Sequence, residues 1–537
     1  MSREFRNTDF LHPLQLLLTF AAFGFVFSAF VFPYRIDWFD SKSYYYLPLE
    51  LFVLGGALLL PGRFAPSLRF VLALVLAAGV IFRIADISAF QVFSRPFNPV
   101  FDSYLLADGF HFVTTSFGFI AALAAAIALA LLAALIVLAS FYSLSRLHQL
   151  LSIQPKLSLG FVVSGLVVWL VASSAGWPRA SRYFYDQLAM HASNTVASIK
   201  DFSEFKTLVE VDAYADVPGD ALFSALAGKD VLVIFVESYG RTLLDKKEYS
   251  ENFVPYLNES TKLLEASGFQ SRSAFLTSPT VGGISWLAHG TALSGLWIDS
   301  QVRYDSLMMS QRPSLVRLFQ RAGWRTVGVM PAISLAWPEG SYFGYEQLYT
   351  APELDYQGAP YNYVTMPDQF TLSQFQKFEL AKESRAPVMA EIALVSSHAP
   401  WTPVPTLIDW NDVGDGSVFI EEATSGDAAE VVWQDRDRVL KQFRECIEYV
   451  LSAISSFTRT FGDDELVVLV IGDHQPMPYV TDNTDNRDVL VHIIAKDPAV
   501  MEAVAHWQWS PGMLPASDAP VWRMDEVRDR FIQAFSH

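Results

Sequence analysis

A single cysteine, Cys446, excludes an internal disulfide framework. A fold without such cross-links must rest on a large buried core. Charged residues are sparse at 18%, and no cluster of Lys or Arg interrupts a composition whose net charge is −18. Phosphate backbones are bound by such clusters, so no nucleic-acid partner is expected. Internal repeats are missing too, as is a small-residue cleavage pattern after Phe32, so the first apolar stretch does not read as a removable signal peptide. Cys446 itself lies in a helical-looking stretch, Arg436 to Phe457, and reads as a packed small hydrophobe.

What the chain has in excess is apolar residues: 52% hydrophobic content and a mean hydropathy of +0.26. The excess is concentrated before residue 176. Five stretches there approach the ~20 residues that cross a hydrocarbon core: Leu14 to Phe32, Tyr44 to Leu60, Phe70 to Ile87, Phe117 to Tyr142 and Leu157 to Ala175. They define an expected transmembrane domain over residues 1–176. The second contains Glu50, and the third carries Arg83 and Asp86; these are functional candidates or interface groups that pair with one another. Arg3 and Arg6, Arg63 and Arg69, and Arg146 and Lys156 fall in alternate connections, which places the N-terminus in the cytoplasm; Arg35, Lys42 and Arg95 fall on the other side. With five crossings, the remainder of the chain emerges outside the cytoplasm.

Residues 177–228 are mixed in character and read as juxtamembrane linker helices. From 229 to 537, β-branched runs alternate with helical ones: strands at Val231 to Val236, Thr326 to Met330, Glu391 to Val395, Leu466 to Ile471 and Val489 to Ile494, and helices near Phe253 to Ser267, Ser314 to Ala322 and Arg436 to Phe457. This alternation predicts an α/β domain with a mainly parallel sheet and helices on both faces. Pro403 to Ala429, rich in Asp, Gly and Ser, reads as a surface insertion. Glu237 ends the first run, and Asp473-His474 ends the run at Leu466 to Ile471, so both should emerge where open α/β sheets build their sites. Between them the segment Gly282 to Gly295 offers a hydroxyl, Ser285, just before a helix-like stretch. A serine hydroxyl holds its proton strongly at neutral pH, and a divalent cation offsets that. Glu237, Asp473 and His474 suit such a cation as ligands, with Ser285 in the remaining position. His492, inside a strand-like run, reads as core.

These residues resemble the alkaline phosphatase and sulfatase superfamily, and within it the membrane-anchored lipoteichoic acid synthase and phosphoglycerol transferase group. The sulfatase signature places a glycine ten residues after the nucleophile, behind a small hydroxyl residue; here Ser285 precedes Ala292-Leu293-Ser294-Gly295, which favours Ser285 over Thr280, Thr291 or Ser294. Serine departs from the threonine of lipoteichoic acid synthases and the modified cysteine of sulfatases. Ser396-Ser-His-Ala-Pro-Trp401 looks like the substrate-side histidine loop and makes His398 a candidate to bind the phosphoryl group or assist proton transfer. Trp337-Pro-Glu-Gly-Ser-Tyr-Phe-Gly-Tyr345 looks like the segment lining the headgroup pocket, with Glu339 in the neighbourhood where that family carries arginine. His289, one helical turn past Ser285, is a candidate for substrate contact or for packing. Phosphoethanolamine transferases share the anchor plan but usually carry disulfides that this chain lacks.

The resemblance implies a phosphotransferase on the outer face of the cytoplasmic membrane, using one Mn²⁺ or Zn²⁺ (or Mg²⁺) ion. A membrane phospholipid would be the donor, and a glycan or lipid-linked molecule the acceptor. A sulfatase-like hydrolase, or a non-catalytic sensor or scaffold, are the alternatives.

Overall fold

The computed structural model describes residues 13–33, 45–62, 65–93, 96–100, 102–103, 105–177, 179–334 and 337–536. The chain divides into two compact units, Met1–Gln91 with Arg95–Asp201, and Val92–Ser94 with Phe202–His537.

The first unit is helical: α1 Pro13–Val31, α2 Leu49–Leu58, α3 Ala65–Phe93, α4 Leu105–Phe117, α5 Phe119–Leu151, α6 Pro155–Ser174 and α7 Tyr183–Val209, the last running on into the second unit. Among the described residues, three helical segments are long and apolar enough to span a membrane: Ala65–Gln91, Phe119–Leu151 and Pro155–Ser174. The other two expected spans are shorter apolar helices, Gln15–Val31 and Leu49–Leu58. Pro48 precedes α2 and the chain leaves its helical path at Leu59; at 1.5 Å per residue its 10 residues cover about half of a hydrocarbon core. The basic residues Arg3, Arg6, Arg35, Lys42, Arg63 and Arg95, used above for orientation, lie outside the described residues. Arg83 and Asp86 pair through intermediaries: Arg83 Nε donates to Gln187 Oε1 (3.0 Å), Gln187 Nε2 donates to Asp86 Oδ2 (2.9 Å), and His191 Nε2 lies 3.0 Å from the same oxygen.

The second unit is built on a nine-stranded sheet: β1 Asp230–Val236, β2 Gln270–Thr277, β3 Arg325–Met330, β4 Gln347–Thr350, β5 Val388–Leu394, β6 Leu466–Gly472, β7 Asp488–Ala495, β8 Ser510–Pro511 and β9 Val521–Arg523. The order is β8-β2-β7-β6-β1-β5-β3-β4, with β9 also on β2. Successive residues of β1 point into two cores. Leu232, Ile234 and Val236 join one, covered by α8 (Lys247–Ala266) and α11 (Arg436–Phe461). Val231, Val233 and Phe235 join the other, covered by α9 (Ser285–Ser294), α10 (Leu315–Arg321) and α12 (Val527–Phe535). Burial on both faces is why the strand reads as an uninterrupted apolar run.

The sheet is mixed rather than mainly parallel. β1 runs parallel to β5 and β6, whereas β7 is antiparallel to both β6 and β2. The chain from β6 to β7 holds one four-residue helix, Pro478–Thr481, and does not pack across the sheet as a parallel return would. The acidic segment after Pro403 is also more than a surface insertion, since Val413 and Phe419 are buried in the α8/α11 core.

Phe443, fully buried on α11 against Tyr249 and Trp401, anchors that core. Phe443→Ala should cost ~3–5 kcal/mol in chemical unfolding, whereas Lys441→Ala, on the exposed side of the same helix, should stay within ~0.5 kcal/mol.

Candidate active site

β6, β1 and β5 are neighbours with parallel chains. Val236 is in register with Gly472 on one side and with Leu394 on the other. The residues that follow, Glu237, Asp473-His474 and the loop carrying His398, therefore leave the same edge of the sheet. Ser285 arrives from elsewhere, as the first residue of α9. Gly283 at φ 146° and Ile284 at φ 63° turn the chain into that helix. The left-handed conformation of a β-branched residue is a strained choice, and such strain concentrates at functional sites. The Gly282 amide donates to the Gln475 carbonyl (2.8 Å), tying the turn to the end of β6.

The four residues converge. Ser285 Oγ donates to Glu237 Oε2 at 2.8 Å and lies 3.3 Å from His474 Nε2. His474 Nε2 is 3.2 Å from Glu237 Oε1 and 3.7 Å from Asp473 Oδ2. One ligand atom from each of Glu237, Asp473 and His474 fits within 4.8 Å of the others. Their remaining valences are already used. Asp473 Oδ1 accepts from the amides of Ser238 (2.8 Å) and His474 (2.6 Å), and His474 Nδ1 faces the Gln475 carbonyl at 2.8 Å. That contact puts the neutral imidazole's hydrogen on Nδ1 and leaves the Nε2 lone pair directed into the cluster.

Charge in this cluster is unbalanced. Burial, reinforced by the Glu237 charge, pushes the Asp473 carboxyl up to about 7. For Glu237 burial acts in the same sense, but the His474 charge and hydrogen bond outweigh it and hold the carboxyl well below its ordinary value. Burial presses His474 down, and Asp473 and Glu237 override it, raising the imidazole to about 9. A proton on His474 thus occupies a place that the two carboxylates would give to a cation. The donor set fits a divalent metal ion: two carboxylates and an imidazole, each oriented by bonds on its other atoms.

His398 sits exposed on the loop after β5, with Nδ1 2.6 Å from the Ala399 carbonyl, and its charge helps hold Glu237 down. His289 lies on α9 with Nδ1 2.8 Å from Glu391 Oε1 and its ring stacked on Phe235. Trp337 packs against Phe343 and Tyr345. Among the described residues, no hydrogen bond or ring contact joins Trp337 to the Glu237 cluster.

Sequence reasoning passed over the residues that hold these groups in place. The buried Asp368 accepts from the amides of Val395 (2.8 Å) and Ser396 (3.1 Å), fixing the His398 loop. Ser397 Oγ donates to the Glu237 carbonyl and Ser278 Oγ to the Asp473 carbonyl, both at 2.6 Å. Glu391 lies inside β5 at 1% exposure. A lone glutamate in the run Val388-Met-Ala-Glu-Ile-Ala-Leu394 was the available signal, since such a residue is buried only when paired.

The site thus places a serine hydroxyl beside a cluster that could hold a divalent cation, at the carboxyl edge of an α/β sheet. The Sulfatase family model matches residues 229–500, and the chain belongs to that family, within the alkaline phosphatase/sulfatase superfamily. No curated protein matches it in sequence. Similar solved structures include the lipoteichoic acid synthase LtaP from Listeria monocytogenes, at 14% identity and TM-score 0.40, covering 63% of this chain and 78% of that one. The Streptococcus pyogenes phosphoglycerol transferase GacH, solved with sn-glycerol-1-phosphate, is similar at 12% identity and TM-score 0.36, covering 63% and 91%. The phosphonate monoester hydrolase of Agrobacterium radiobacter is similar at 12% and 0.32, covering 51% and 69%.

Glu237→Ala, Asp473→Ala and His474→Ala should each lower the metal retained after dialysis, read by elemental mass spectrometry; undiminished metal in all three would remove the ligand assignment. Asp368 gives a pH test. Burial pushes it up to about 7, against its backbone hydrogen bonds, and its unfolded value is ~3.9. Its favourable contribution is complete below the unfolded value and lost as pH rises through the folded one. The stability of the wild type relative to Asp368→Asn should therefore fall between about pH 4 and 7 in urea unfolding.

Proposed function

We propose that the protein is a membrane-anchored phosphotransferase. It moves a phosphoglycerol-type or phosphoethanolamine headgroup from a phospholipid to an envelope glycan or lipid acceptor, at the outer face of the cytoplasmic membrane. The observation that carries this reading is the position of Ser285 Oγ, hydrogen-bonded to Glu237 and 3.3 Å from His474 Nε2. The three helices of membrane-crossing length support it, because an enzyme drawing its donor from lipid gains effective concentration by being held beside it.

Glu237, Asp473 and His474 would hold one Mn²⁺ or Zn²⁺ ion, with Mg²⁺ less suited to the imidazole. When bound, the ion supplies positive charge that lowers the proton affinity of a neighbouring hydroxyl and offsets charge on phosphoryl oxygens. Ser285 Oγ forms its bond to phosphorus as the bond to the diacylglycerol oxygen breaks, leaving a phospho-serine. An acceptor hydroxyl then displaces Ser285 and carries the headgroup away. The positive end of α9, which begins at Ser285, favours the anionic phosphoryl group throughout. His398, presented by the loop after β5, offsets charge on the same oxygens, and Trp337 stands on the segment that would line the headgroup pocket.

The second reading is a hydrolase acting on phosphate or sulfate esters, with water in place of the acceptor; the Sulfatase family match favours it. A scaffold role has against it the intact grouping of Glu237, Ser285, Asp473 and His474.

Peptide mass spectrometry of the full-length protein in detergent, incubated with Mn²⁺ and a panel of phospholipids, should show a headgroup mass added at Ser285. Ser285→Ala should lose the adduct and reduce turnover at least ~10³-fold. Full turnover by that variant would overturn the assignment, and hydrolysis of esters by the wild type without an adduct would establish the hydrolase.

A further inference from the structure

α4 (Leu105–Phe117) is a helix whose apolar side chains meet no core: none of its described residues is buried, and Leu106, Phe110, Phe112 and Phe117 are exposed. Its 13 residues rise about 20 Å at 1.5 Å each, well short of a ~30 Å hydrocarbon core, so α4 does not cross a bilayer. Nor does it prolong α5. Gly118, at φ 88° and ψ 160°, separates the two helices, a backbone conformation open to glycine. The rings of Phe110 and Phe119 then meet edge to face at 6.2 Å between centroids. On one straight helix these two residues would be separated by about 13.5 Å along the axis. The chain therefore turns sharply at Gly118.

The length of α5 sets the depth of that turn. No charged residue lies between Gly118 and Arg146, and Arg146, His148 and Gln149 bring polar side chains to the end of the helix. From Gly118 to Arg146 the helix rises about 42 Å, or about 39 Å at a common tilt of ~20°, which approaches the ~40–45 Å of a bilayer with its headgroup regions and exceeds the ~30 Å of its core. With Arg146 in one headgroup region, Gly118 falls in the other. α6 (Pro155–Ser174) then recrosses, with Lys156 in its first turn and an exposed Trp177 just past its end, followed by the exposed Tyr183 and Tyr185. Trp and Tyr collect at such boundaries. The end of α6 and the turn at Gly118 thus belong to the same face of the membrane.

At 3.6 residues per turn, Leu106, Phe110, Val113 and Phe117 fall within about 60° of one another around α4, and His111 and Thr115 fall on the opposite side. Phe112 flanks the polar side. The Thr114 and Thr115 hydroxyls donate back to the carbonyls of Phe110 (2.8 Å) and Phe112 (3.0 Å), so neither needs a partner outside the helix. α4 holds no Lys or Arg, so its grip on a membrane is apolar and owes nothing to anionic headgroups. We propose that α4 lies along the membrane surface as an interfacial helix. Leu106, Phe110, Val113 and Phe117 sit ~5–10 Å into the boundary between headgroups and acyl chains, and His111 and Thr115 turn toward water. The partner is the phospholipid leaflet on the side where α6 ends, whatever its headgroup charge. The inference needs α5 to cross a bilayer and does not need the phosphotransferase reading.

Spin labelling of the full-length protein in phospholipid nanodiscs tests this. Cys446, the single cysteine, is 1% exposed and burial pushes its thiol up, so it stays unlabelled and each introduced cysteine reports alone. Nitroxides at Leu106→Cys, Phe110→Cys and Phe117→Cys should show a several-fold higher ratio of collisions with oxygen, which dissolves among acyl chains, to collisions with a water-soluble nickel chelate than nitroxides at His111→Cys and Thr115→Cys. Leu132→Cys, exposed midway along α5, should read deeper than all five. The depths should be the same in phosphatidylcholine and in phosphatidylglycerol nanodiscs. With at least two positions on each face, one variant that fails to fold does not end the comparison. Equal chelate contact at all five α4 sites would overturn the proposal by placing the helix in water, and depths equal to Leu132 at all five would overturn it by placing the helix in the core. Phe110→Cys and Phe117→Cys labels shielded from both reagents would show protein on that face and overturn it too, as would insertion seen only in the anionic nanodiscs. Chelate contact at Leu132 would remove α5 from the membrane and the inference with it. No readout depends on turnover, so loss of the phosphotransferase reading would leave the result standing.

Discussion

The site depends on a matter of register. β6, β1 and β5 run parallel and end in step, Gly472 beside Val236 beside Leu394. A one-residue slip in any of these pairings would send the following side chain to the other face of the sheet. Glu237 and Asp473 meet because their strands stop together, and the Asp473 amide donates to the Val236 carbonyl (3.2 Å), continuing the ladder one step beyond the strands. The two fully buried cores on either face pin that register, since slipping would exchange Leu232, Ile234 and Val236 with Val231, Val233 and Phe235 between environments shaped for the other set.

The fixed register in turn concentrates charge. Two carboxylates and an imidazole at this depth repel or neutralise one another according to which protons they hold, and the result is a site in want of a cation. The surroundings supply neutral hydrogen bonds: Ser238 to Glu237 Oε1 (2.9 Å), Ser397 to the Glu237 carbonyl and Ser278 to the Asp473 carbonyl. They hold atoms in place without discharging the cluster. The strained turn at Ile284 adds the last element, placing a hydroxyl at the start of a helix and within reach of both Glu237 and His474.

What was legible in the sequence follows the same physics. Strands buried on both faces announce themselves, and β1, β3, β5, β6 and β7 were all found within a few residues of their ends. β2 was missed because its polar residues Ser271, Arg272 and Ser273 break the apolar run, and Ser273 is buried only by bonding His492 and the Gly512 carbonyl. The direction of β7 was not legible, because strand runs carry no sign of polarity. The length of α2 escaped for a different reason: Tyr44 to Leu60 is apolar enough to cross a membrane, yet Pro48 delays the helix and a carboxylate, Glu50, is taken by the Tyr185 amide (2.9 Å). Glu237, Ser285, Asp473 and His474 were readable as a set because each ends or begins an element. Glu391 and Asp368, which hold parts of the site from inside, give no such punctuation.

Two histidines, one inside β7 and one just past the end of the adjacent β6, show why residue type alone could not settle the site. His492 in β7 is as buried as His474, at 0% against 1% exposure. Its neighbours are hydroxyls, Tyr239 at 2.9 Å from Nε2 and Ser273 at 2.6 Å from Nδ1, and burial unopposed pushes it down to about 3. His474 meets two carboxylates instead, and they raise it to about 9 across the same desolvation. One imidazole is therefore neutral at any physiological pH, with both nitrogens committed to polar neighbours, and the other is a cation or the ligand of one. The difference lies in the strand partner: β7 runs antiparallel and carries His492 into the interior of the sheet, whereas β6 releases His474 at the edge where parallel neighbours deliver their acids. Topology, acting through that choice of neighbours, converts the same side chain from packing into chemistry.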